Sequence, residues 1–385
     1  MSKISEVLKK ITINILTYIF NRFPIKNNKI FLFSYYGSQY GCSPKYISEY
    51  IVNNYPKDKF DVVWAFTDVG SKEHIKGIRK VRVMSLKYFY ELCTSKVIIT
   101  NFRTTDLFKK RKNQYYIQTW HSSLRLKQIE KDAEDSLPTN YIEMAKEDSK
   151  KCDLVLSGCK YSTDIFKRAF WYDGEIFEYG TPRNDLLINN DKEYARNIKR
   201  KLNISCDTKL VLYAPTFRKN DDLEIYNLDY KSIVQSLKEK FSGEWKFCIK
   251  LHPHLISKSK ELNYAEDVLD LTKYDDIQEL LSITDVLISD YSSLMFDFGI
   301  TKRPCFLYVP DLNEYASKDR KLYFDINSLP FISSISNEDL IGKIKSFNKE
   351  TYNEDLEAFS DSVGNFEKGY ACKKLAERIN DICFN

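Results

Sequence analysis

The sequence predicts an α/β protein built from two doubly wound, Rossmann-like domains, and three observations support this. The chain has 385 residues, which is too long for a single hydrophobic core and suits two domains of similar size. From residue 29 onward, short apolar runs typical of strands alternate with polar, helix-periodic stretches. A charged stretch at 192–201 interrupts this alternation, which then starts again. The β-α-β rhythm predicts a mainly parallel sheet in each half.

The first half contains five strand-like runs. The polar stretches 44–54 and 86–93 between them have helical periodicity, so helical crossovers between parallel strands are expected. The predicted strands are 30–33, 62–66, 97–99, 115–117 and 154–156.

The second half repeats the pattern and sets the domain boundaries. We assign residues 1–25 to an amphipathic helix, 26–195 to the first domain and 196–385 to the second. The last helix, 366–384, is a candidate to cross back onto the first domain. The predicted strands of the second domain are 209–214, 245–251, 286–289 and 305–308.

The charge and cysteine content narrow the functional class. The 59 basic and 54 acidic residues give a net charge of +5, which is too mild an excess for a dedicated nucleic-acid binder. Anionic lipid, an anionic polymer or a nucleotide is a compatible partner. The nine cysteines are scattered without the paired spacing of a zinc site. This pattern is typical of a reducing compartment, so we expect a cytosolic protein.

The N-terminal 25 residues predict an amphipathic helix that has two interpretations. No run in the sequence approaches the ~20 apolar residues that a membrane-spanning helix needs. The helix can lie on the inner face of the cell membrane as a peripheral anchor, or it can pack against a domain. Its apolar residues at helical spacing are Ile4, Val7, Leu8, Ile11, Ile15, Leu16 and Ile19.

His121 is the candidate catalytic residue. Ligands of doubly wound sheets bind beyond the carboxyl ends of the strands, and His121 follows the strand predicted at 115–119. Imidazole is the side chain best suited to proton transfer near neutral pH. We interpret His121 as a general base for an incoming hydroxyl. The alternative is an ordinary hydrogen-bonded loop histidine.

His252 and His254 flank Pro253 at the end of another predicted strand and admit three interpretations. A metal pair would need a further ligand, and none has suitable spacing. The two histidines, with Lys250 close by, fit better as hydrogen-bond donors to phosphate. An ordinary turn is the third interpretation.

The segment Ser289-Asp290-Tyr291-Ser292-Ser293 is a candidate anion site. It lies between the apolar run 286–288 and a predicted helix at 294–298. The first N–H groups of a helix lack internal partners and carry positive dipole charge, and serine hydroxyls add further donors. Ordinary helix capping is the alternative. Asp297 could accept hydrogen bonds from ribose hydroxyls, or could be a solvated carboxylate.

Basic residues provide further candidates for anion binding. Arg183 and Arg218 could each neutralise a diphosphate, although most arginines in such loops are solvated. The run Lys109-Lys110-Arg111-Lys112 is either a solvated loop or a contact with anionic headgroups or a phosphate-rich polymer.

Missing motifs exclude several enzyme classes. The sequence contains no G-x-x-x-x-G-K-[ST] phosphate loop, no G-x-G-x-x-G fingerprint and no G-x-S-x-G nucleophile elbow. It also lacks the D-x-D motif of metal-dependent sugar-nucleotide transferases. These absences leave a two-domain transferase that balances leaving-group charge with side chains and a helix end, and no cofactor is predicted.

A series of short motifs runs along nearly the whole chain after residue 28. The motifs are Ser34-Tyr35-Tyr36-Gly37, Ser43-Pro44-Lys45-Tyr46-Ile47, Gln118-Thr119-Trp120-His121, the segment 157–170 with Tyr161-Ser162-Thr163, Gly180-Thr181-Pro182-Arg183-Asn184-Asp185, Tyr213-Ala214-Pro215-Thr216-Phe217-Arg218, Leu251-His252-Pro253-His254, Ser289-Asp290-Tyr291-Ser292-Ser293 with Phe296-Asp297, and Lys302-Arg303-Pro304. In their order and spacing, these motifs resemble those of the CDP-glycerol glycerophosphotransferases, the teichoic acid primase and polymerase family of bacterial cell-envelope synthesis.

The resemblance implies a GT-B architecture, with an acceptor-side first domain, a donor-binding second domain and the active site in the cleft between them. It implies CDP-glycerol, or a related CDP-polyol such as CDP-ribitol, as the co-substrate. It also implies a glycan or lipid-linked acceptor, in teichoic acid or capsule synthesis, at the membrane surface. His121 is then the base. The implied donor-site residues are Arg183, Thr216, Phe217, His252, His254, Ser292, Ser293 and Asp297.

One departure from the family pattern concerns the loop after His121. The family continues with Gly-Thr-Pro, whereas this chain has Ser122-Ser123-Leu124. The hydroxyl at position 123 is kept, and the resemblance places Ser122 and Ser123 on the acceptor side. Two rival functions remain open. One is a GT-B glycosyltransferase that uses a nucleotide-sugar, and the other is a non-catalytic binder of anionic polymer or membrane.

Overall fold

The chain forms two compact units. The computed structural model describes residues 3–104, 108–218, 226–252, 268–312, 314–315 and 321–385. The first unit comprises Met1–His121, Ile129–Asp185 and Phe366–Asn385. The second comprises Ser122–Gln128 and Leu186–Asn365. Each unit therefore contains a segment that is distant in sequence from the rest of it.

The first unit is built on a seven-stranded sheet in the order β3-β2-β1-β4-β5-β6-β7, and all neighbouring strands are parallel. This order reverses between β1 and β4, as in a doubly wound fold. The strands are β1 (Lys26–Phe33), β2 (Asp61–Phe66), β3 (Arg79–Arg82), β4 (Ser95–Thr100), β5 (Tyr115–Gln118), β6 (Leu154–Leu156) and β7 (Glu175–Phe177).

Helices cover the first sheet and complete its core. The buried residues of the central strands pack against Leu375, Ala376 and Ile379 of the last helix in the chain. The last helix thus belongs to the core of the first unit. The helices of this unit are Lys3–Phe20, Cys42–Asn54, Leu86–Thr94, Thr139–Lys151, Lys160–Ala169 and Ala371–Phe384.

The second unit has a six-stranded parallel sheet in the order β10-β9-β8-β11-β12-β13. Its strands are β8 (Lys209–Tyr213), β9 (Trp245–Ile249), β10 (Leu269–Asp270), β11 (Val286–Ser289), β12 (Cys305–Tyr308) and β13 (Ile332–Ser334). Its helices are Lys192–Lys201, Tyr230–Phe241, Ile277–Ile283, Leu294–Gly299, Asn337–Ser346 and Lys349–Ser362, and Asp185–Asn189 leads into it.

The predicted fold class, two doubly wound parallel sheets, is confirmed. All nine predicted strands are present, with ends that differ by a few residues. Four short strands at or near sheet edges were not predicted, because they lack the buried apolar runs of central strands. The charged stretch 192–201 is a helix of the second unit, capped by the Asp191 carboxylate, which accepts from Glu193 N and Tyr194 N. Its charges occupy a solvent-exposed helix face.

The N-terminal helix Lys3–Phe20 has one packed face and one exposed face. Ile13 and Thr17 are buried, and the ring of Phe20 lies 5.9 Å from that of Tyr90 in the helix Leu86–Thr94. The face that carries Ile13 and Thr17 therefore packs against the first unit, as the second interpretation of this helix predicted. Among the described helices, none is both long and apolar enough to cross a bilayer. The exposed face carries Leu8, Ile11, Ile15, Tyr18 and Ile19.

Candidate functional site

Most of the candidate residues lie near the point where the strand order of each sheet reverses, whereas Arg183 follows the edge strand β7. In the first unit the strand ends near this point are the carboxyl ends of β1, β4 and the adjacent β5. In the second unit they are the ends of β8, β9 and β11. Open parallel sheets bind ligands at such reversal points, because the connections leave in opposite directions and open a crevice there. The roles of the candidate residues at these strand ends stay predictions.

His121 is exposed, and its imidazole is oriented from two sides. The ring stacks on that of Trp120, with centroids 4.7 Å apart and planes tilted by 28°. Its Nδ1 lies 3.4 Å from the backbone oxygen of Asn101. Because a carbonyl oxygen can only accept, this contact requires the hydrogen on Nδ1 and so places the lone pair on Nε2. A neutral imidazole of this tautomer can accept a proton at Nε2.

Trp120 occupies a backbone conformation that holds the histidine in place. Its φ of 51° lies in the left-handed region, which is rare for a bulky residue. Two contacts stabilise this strained conformation: Trp120 N donates a hydrogen bond to Gln118 Oε1 (3.0 Å), and the Phe170 ring packs edge-on against the indole with centroids 5.0 Å apart. A strained residue next to the candidate base is typical of a functional site.

Asn101 is a site residue that sequence reasoning missed. It is buried, its backbone oxygen faces His121, and its Oδ1 accepts from Tyr35 N at 3.0 Å. The Nδ2 atom is also buried, and no hydrogen-bond partner for it lies among the described residues. Asn101 follows β4 directly. Its position at the end of a predicted strand could therefore have indicated a site residue.

Arg183 is buried in the first unit. It lies in the 3₁₀ turn Pro182–Asn184, with Nη1 3.6 Å from Cys42 Sγ at the start of the helix Cys42–Asn54. Thr181 and Asn184 on either side both donate to the carboxylate of Glu367. Much of this motif therefore connects the C-terminal segment to the first unit. The role of Arg183 as a donor ligand stays a prediction.

Thr216 is held by a carboxylate in the second unit. Asp290 is buried and accepts hydrogen bonds from Thr216 N (2.9 Å) and Thr216 Oγ1 (3.0 Å). Arg218 forms ion pairs with Asp290 (2.9 Å) and Asp311 (2.7 Å). Arg218 is thus charge-balanced within the unit and donates to Thr216, and its contact with a diphosphate stays a prediction. Asp290 belongs to the predicted motif 289–293, but its hydrogen bonds to Thr216 could be recognised only in the folded structure.

Phe217 and His252 are brought together at the ends of β8 and β9, with ring centroids 5.9 Å apart. His252 is exposed and Phe217 is half-buried. Lys250 donates to the backbone oxygens of Thr272 and Tyr274, and burial lowers its pKa to about 8. Lys250 therefore connects two strand ends. His254 lies outside the described residues.

The segment 289–293 leads into a helix as predicted, and this helix, Leu294–Gly299, has only six residues. Ser292 Oγ accepts from Leu294 N at 3.3 Å, and Ser293 Oγ accepts from Leu126 N at 3.2 Å. The Ser293 hydroxyl therefore binds another part of the second unit. The binding of an anion by Ser292 and Ser293 stays a prediction.

The segment after His121 belongs to the second unit. Ser123 Oγ donates to Asp297 Oδ1 at 2.9 Å, and both residues are buried. Leu126 O accepts from Tyr323 N (2.7 Å), and Lys127 forms an antiparallel bridge with Leu322. Ser122 is buried as well. The acceptor-side role predicted for Ser122 and Ser123 is untested, and the observed partner of Ser123 is Asp297.

The basic run at 109–112 has structural contacts at its centre. Lys110 pairs with Asp153, and Arg111 Nη1 donates to the backbone oxygens of Phe23 (2.7 Å) and Cys93 (3.2 Å). Only Lys109 and Lys112 of the four are exposed. These contacts weaken the interpretation of the run as a polymer-binding patch.

In both sequence and fold, the chain is similar to teichoic acid polymerases. The chain is 32% identical, over 98% of its length and 99% of the other, to the teichoic acid poly(glycerol phosphate) polymerase of Bacillus spizizenii. It is also 32% identical to the Staphylococcus epidermidis polymerase of the same name, over 92% of this chain but about half (51%) of that one. The wall teichoic acid polymerase TagF has a similar structure, with a TM-score of 0.85, 30% identity and 98% and 97% of the two chains covered.

The similarity to TagF confirms the predicted GT-B-like fold of two parallel α/β units. The family described as CDP-glycerol:poly(glycerophosphate) glycerophosphotransferase matches residues 15–381. This match confirms both the family that the motifs indicated and the predicted class of enzyme. The chain belongs to the CDP-glycerol:poly(glycerophosphate) glycerophosphotransferase family.

Proposed function

We propose that the protein transfers glycerol phosphate from CDP-glycerol to a hydroxyl of a teichoic-acid-like or other cell-envelope glycan acceptor and releases CMP. Membership of the glycerophosphotransferase family over residues 15–381 carries the proposal. The orientation of His121 by Asn101 and Trp120 supports it, because it supplies a base for the acceptor hydroxyl.

In the proposed mechanism, Nε2 of His121 removes the proton of the acceptor hydroxyl. The oxygen attacks the phosphorus that carries glycerol, and a new P–O bond forms. The P–O bond to CMP breaks, and CMP leaves with the electron pair. Phosphoryl-type transfer depends mainly on positioning and on stabilisation of negative charge. The contacts of the His121 ring with Asn101 and Trp120 contribute to positioning.

The donor would be held by residues at the strand ends of the second unit. Thr216, positioned by Asp290, and Ser292 offer hydroxyl groups, and exposed His252 offers a ring N–H. Phe217, beside His252, offers an aromatic face to the cytosine. The remaining donor candidates are Arg183, His254, Ser293 and Asp297.

Replacement of His121 tests the mechanism. We expect His121→Gln to lower kcat by roughly 10²–10⁴-fold, the usual contribution of a general base. Binding of CDP-glycerol, measured by calorimetry, should be unchanged. His74→Gln is the matched control, because His74 is an exposed histidine of the same unit that lies outside the candidate site. Equal turnover of wild type and His121→Gln would overturn the proposed base.

A donor screen tests the function itself. CDP-glycerol, CDP-ribitol and nucleotide-sugars would be offered with a glycan acceptor, and the released nucleotide identified. CMP release from CDP-glycerol supports the proposal. CMP release from CDP-ribitol alone would show that the transferred group is ribitol phosphate instead of glycerol phosphate. Release from a nucleotide-sugar alone would favour a glycosyltransferase. No turnover with any donor would favour the non-catalytic binder.

We further propose that the exposed face of the helix Lys3–Phe20 binds the inner surface of the cell membrane. Five apolar side chains between Leu8 and Ile19 are 45–65% exposed there. Leaving such side chains in water is unfavourable, while burial of each at a lipid interface contributes about 1–3 kcal/mol. The opposite face already packs on the first unit, so this contact needs no rearrangement of the helix.

Vesicle binding tests the membrane contact. The double variant Ile11→Ser, Ile15→Ser should bind vesicles of anionic phospholipid at least about tenfold more weakly in a sedimentation assay. Asn14→Ser, an exposed polar position on the same helix, serves as the control and should bind as wild type does. Unchanged binding by the double variant would exclude this face as the contact.

A further inference from the structure

We propose that Tyr36 forms a platform that binds a sugar ring of the acceptor beside His121. The inference rests on the proposed function, because it concerns the acceptor of the same reaction. Tyr36 is 58% exposed, whereas the rings of Phe33 and Phe102 around it are buried. A large aromatic side chain that is left in water, on a turn bonded to the same asparagine that contacts the candidate base, is a natural ligand contact.

The backbone turn that carries Tyr36 is strained and closely held. Tyr35, Tyr36 and Gly37 have consecutive φ values of 46°, 56° and 87°. Each non-glycine residue in this region costs about 1–2 kcal/mol. Gly37 N donates to Ser34 O, and Gly37 O accepts from Thr67 N, both at 2.8 Å. The fold therefore bears strain to hold this turn.

Gly37 shows how closely the turn fits its surroundings. A Cβ at position 37 would lie 2.6 Å from Val83 Cγ2 and 3.3 Å from the backbone oxygen of Ala65. Only glycine combines this close approach with a positive φ. The close fit at Gly37 thus fixes the backbone immediately after Tyr36 and limits where the Tyr36 ring can lie.

The ring of Tyr36 rests on Phe102. Their centroids are 4.0 Å apart with a 36° tilt, and Phe102 in turn contacts Phe33 edge-on at 4.8 Å. One side of the Tyr36 ring is therefore supported by the core, which leaves the exposed remainder as a rigid surface. A preorganised surface binds without the entropic cost of ordering a side chain.

Asn101 connects the Tyr36 turn to the base. Its Oδ1 accepts from Tyr35 N, while its backbone oxygen faces His121 Nδ1. Phe102, the support of the Tyr36 ring, is the next residue in the chain. Tyr36 follows β1 and His121 follows β5, the two strands on either side of β4, and Asn101 follows β4 itself. An acceptor hydroxyl near His121 would bring the adjoining acceptor group to Tyr36.

The chemistry of the platform favours an uncharged ring. A pyranose presents a flat face of C–H groups that packs on an aromatic face, whereas a polyol phosphate chain is linear and anionic. Arg103, which follows Phe102, is buried and paired with Asp148 and Glu130. Its positive charge is therefore already balanced and does not attract an anionic chain. We infer that Tyr36 recognises the glycan portion of the acceptor.

Two soluble acceptors with the same terminal hydroxyl test this inference. One is an octyl disaccharide that carries a single glycerol phosphate, and the other is an octyl oligo(glycerol phosphate). Tyr36→Gly removes the ring and tolerates the left-handed backbone, while Tyr36→Phe keeps the aromatic face. Tyr179→Ala is the matched control, because Tyr179 is 47% exposed and packs on Phe177 at the far edge of the same sheet.

Tyr36→Gly should raise KM for the disaccharide acceptor roughly tenfold, as expected for loss of one aromatic contact. KM for CDP-glycerol and KM for the oligo(glycerol phosphate) should not change, and Tyr36→Phe and Tyr179→Ala should behave as wild type does. An unchanged KM for the disaccharide, or an equal rise for both acceptors, would overturn the inference. Lack of turnover by the wild type would instead refute the proposed function. Calorimetry with the disaccharide still measures the Tyr36 contact in that case.

Discussion

At the scale of single residues, hydrogen bonds pair motif residues with each other in ways that spacing does not reveal. Asp297 was a candidate ligand for ribose, and Ser123 was a candidate for the acceptor side. Within the second unit, Ser123 Oγ donates to Asp297 Oδ1 at 2.9 Å. The residues are 174 positions apart, so only the folded chain brings them together. The hydroxyl that this chain shares with the family pattern at position 123 thus has a hydrogen-bond partner, Asp297.

A double-mutant cycle measures this pair. A buried hydrogen bond to a charged group contributes about 1.5–3 kcal/mol, so Ser123→Ala and Asp297→Asn should each lower the free energy of unfolding. Together they should cost less than the sum of the single changes. Ser123→Thr, which keeps the hydroxyl, should recover most of the stability. Denaturant unfolding gives the four values, and strict additivity would show that the two side chains do not interact.

At the scale of elements, a buried ion pair joins β1 to the helix Leu86–Thr94. Lys29 is fully buried and pairs with Glu91, which also binds Arg79 of β3. Burial alone would raise the pKa of Glu91, but hydrogen bonds from Arg79 and Lys29 outweigh it and lower the pKa to about 2. Burial also lowers the pKa of Lys29. Lys29 is charged at acid pH in either state, so Glu91 sets the acid response.

Acid unfolding should reflect this carboxylate. The pKa of Glu91 is lower in the folded chain than in the unfolded chain, so its ionisation stabilises the fold fully above about pH 4.5. That contribution, about 3 kcal/mol, is lost as the pH falls from there towards 2. Glu91→Gln should therefore be less stable than wild type at pH 7, with a difference that shrinks below pH 4.5. Asp164→Asn, in an exposed pair, should show no such difference; a constant deficit for Glu91→Gln would contradict the assignment.

At the scale of the whole molecule, each unit contains a segment from elsewhere in the chain. Ser122–Gln128 belongs to the second unit, and Phe366–Asn385 belongs to the first. The carboxylate of Asp185 accepts from Ala371 N and Cys372 N at the start of the last helix, all within the first unit. The stability of the first unit therefore depends on the segment Phe366–Asn385, which is distant in sequence from the rest of that unit.

Replacement of a core residue in the last helix tests this dependence. Leu375 is completely buried in the first core, so Leu375→Ala should lower the free energy of unfolding by about 2–5 kcal/mol. Lys374→Ala, an exposed neighbour on the same helix, should change it by no more than about 0.5 kcal/mol. Hydrogen exchange should show the added opening in β1 and β4. Protection unchanged in these strands would place the helix outside that cooperative unit.

The central strands and the order of motifs were predictable because their causes are local. A parallel strand buried on both faces needs a continuous apolar run, and such runs are visible in 30–33, 97–99 and 286–289. The short outer strands Arg79–Arg82 and Leu269–Asp270 were not predictable, since they are polar and form only beside an existing neighbour. The helix Lys192–Lys201 was missed because its charges resembled those of a linker.

The sequence by itself determined the two doubly wound sheets, the family and the strand ends that carry the candidate residues, because periodicity and motif spacing are properties of the linear chain. Only the tertiary structure decided which side chains meet at those ends. It placed Asn101 against His121, Asp290 against Thr216 and Asp297 against Ser123. Hydrogen-bond partners far apart in sequence are selected by sheet order and packing, and neither is encoded in any short segment.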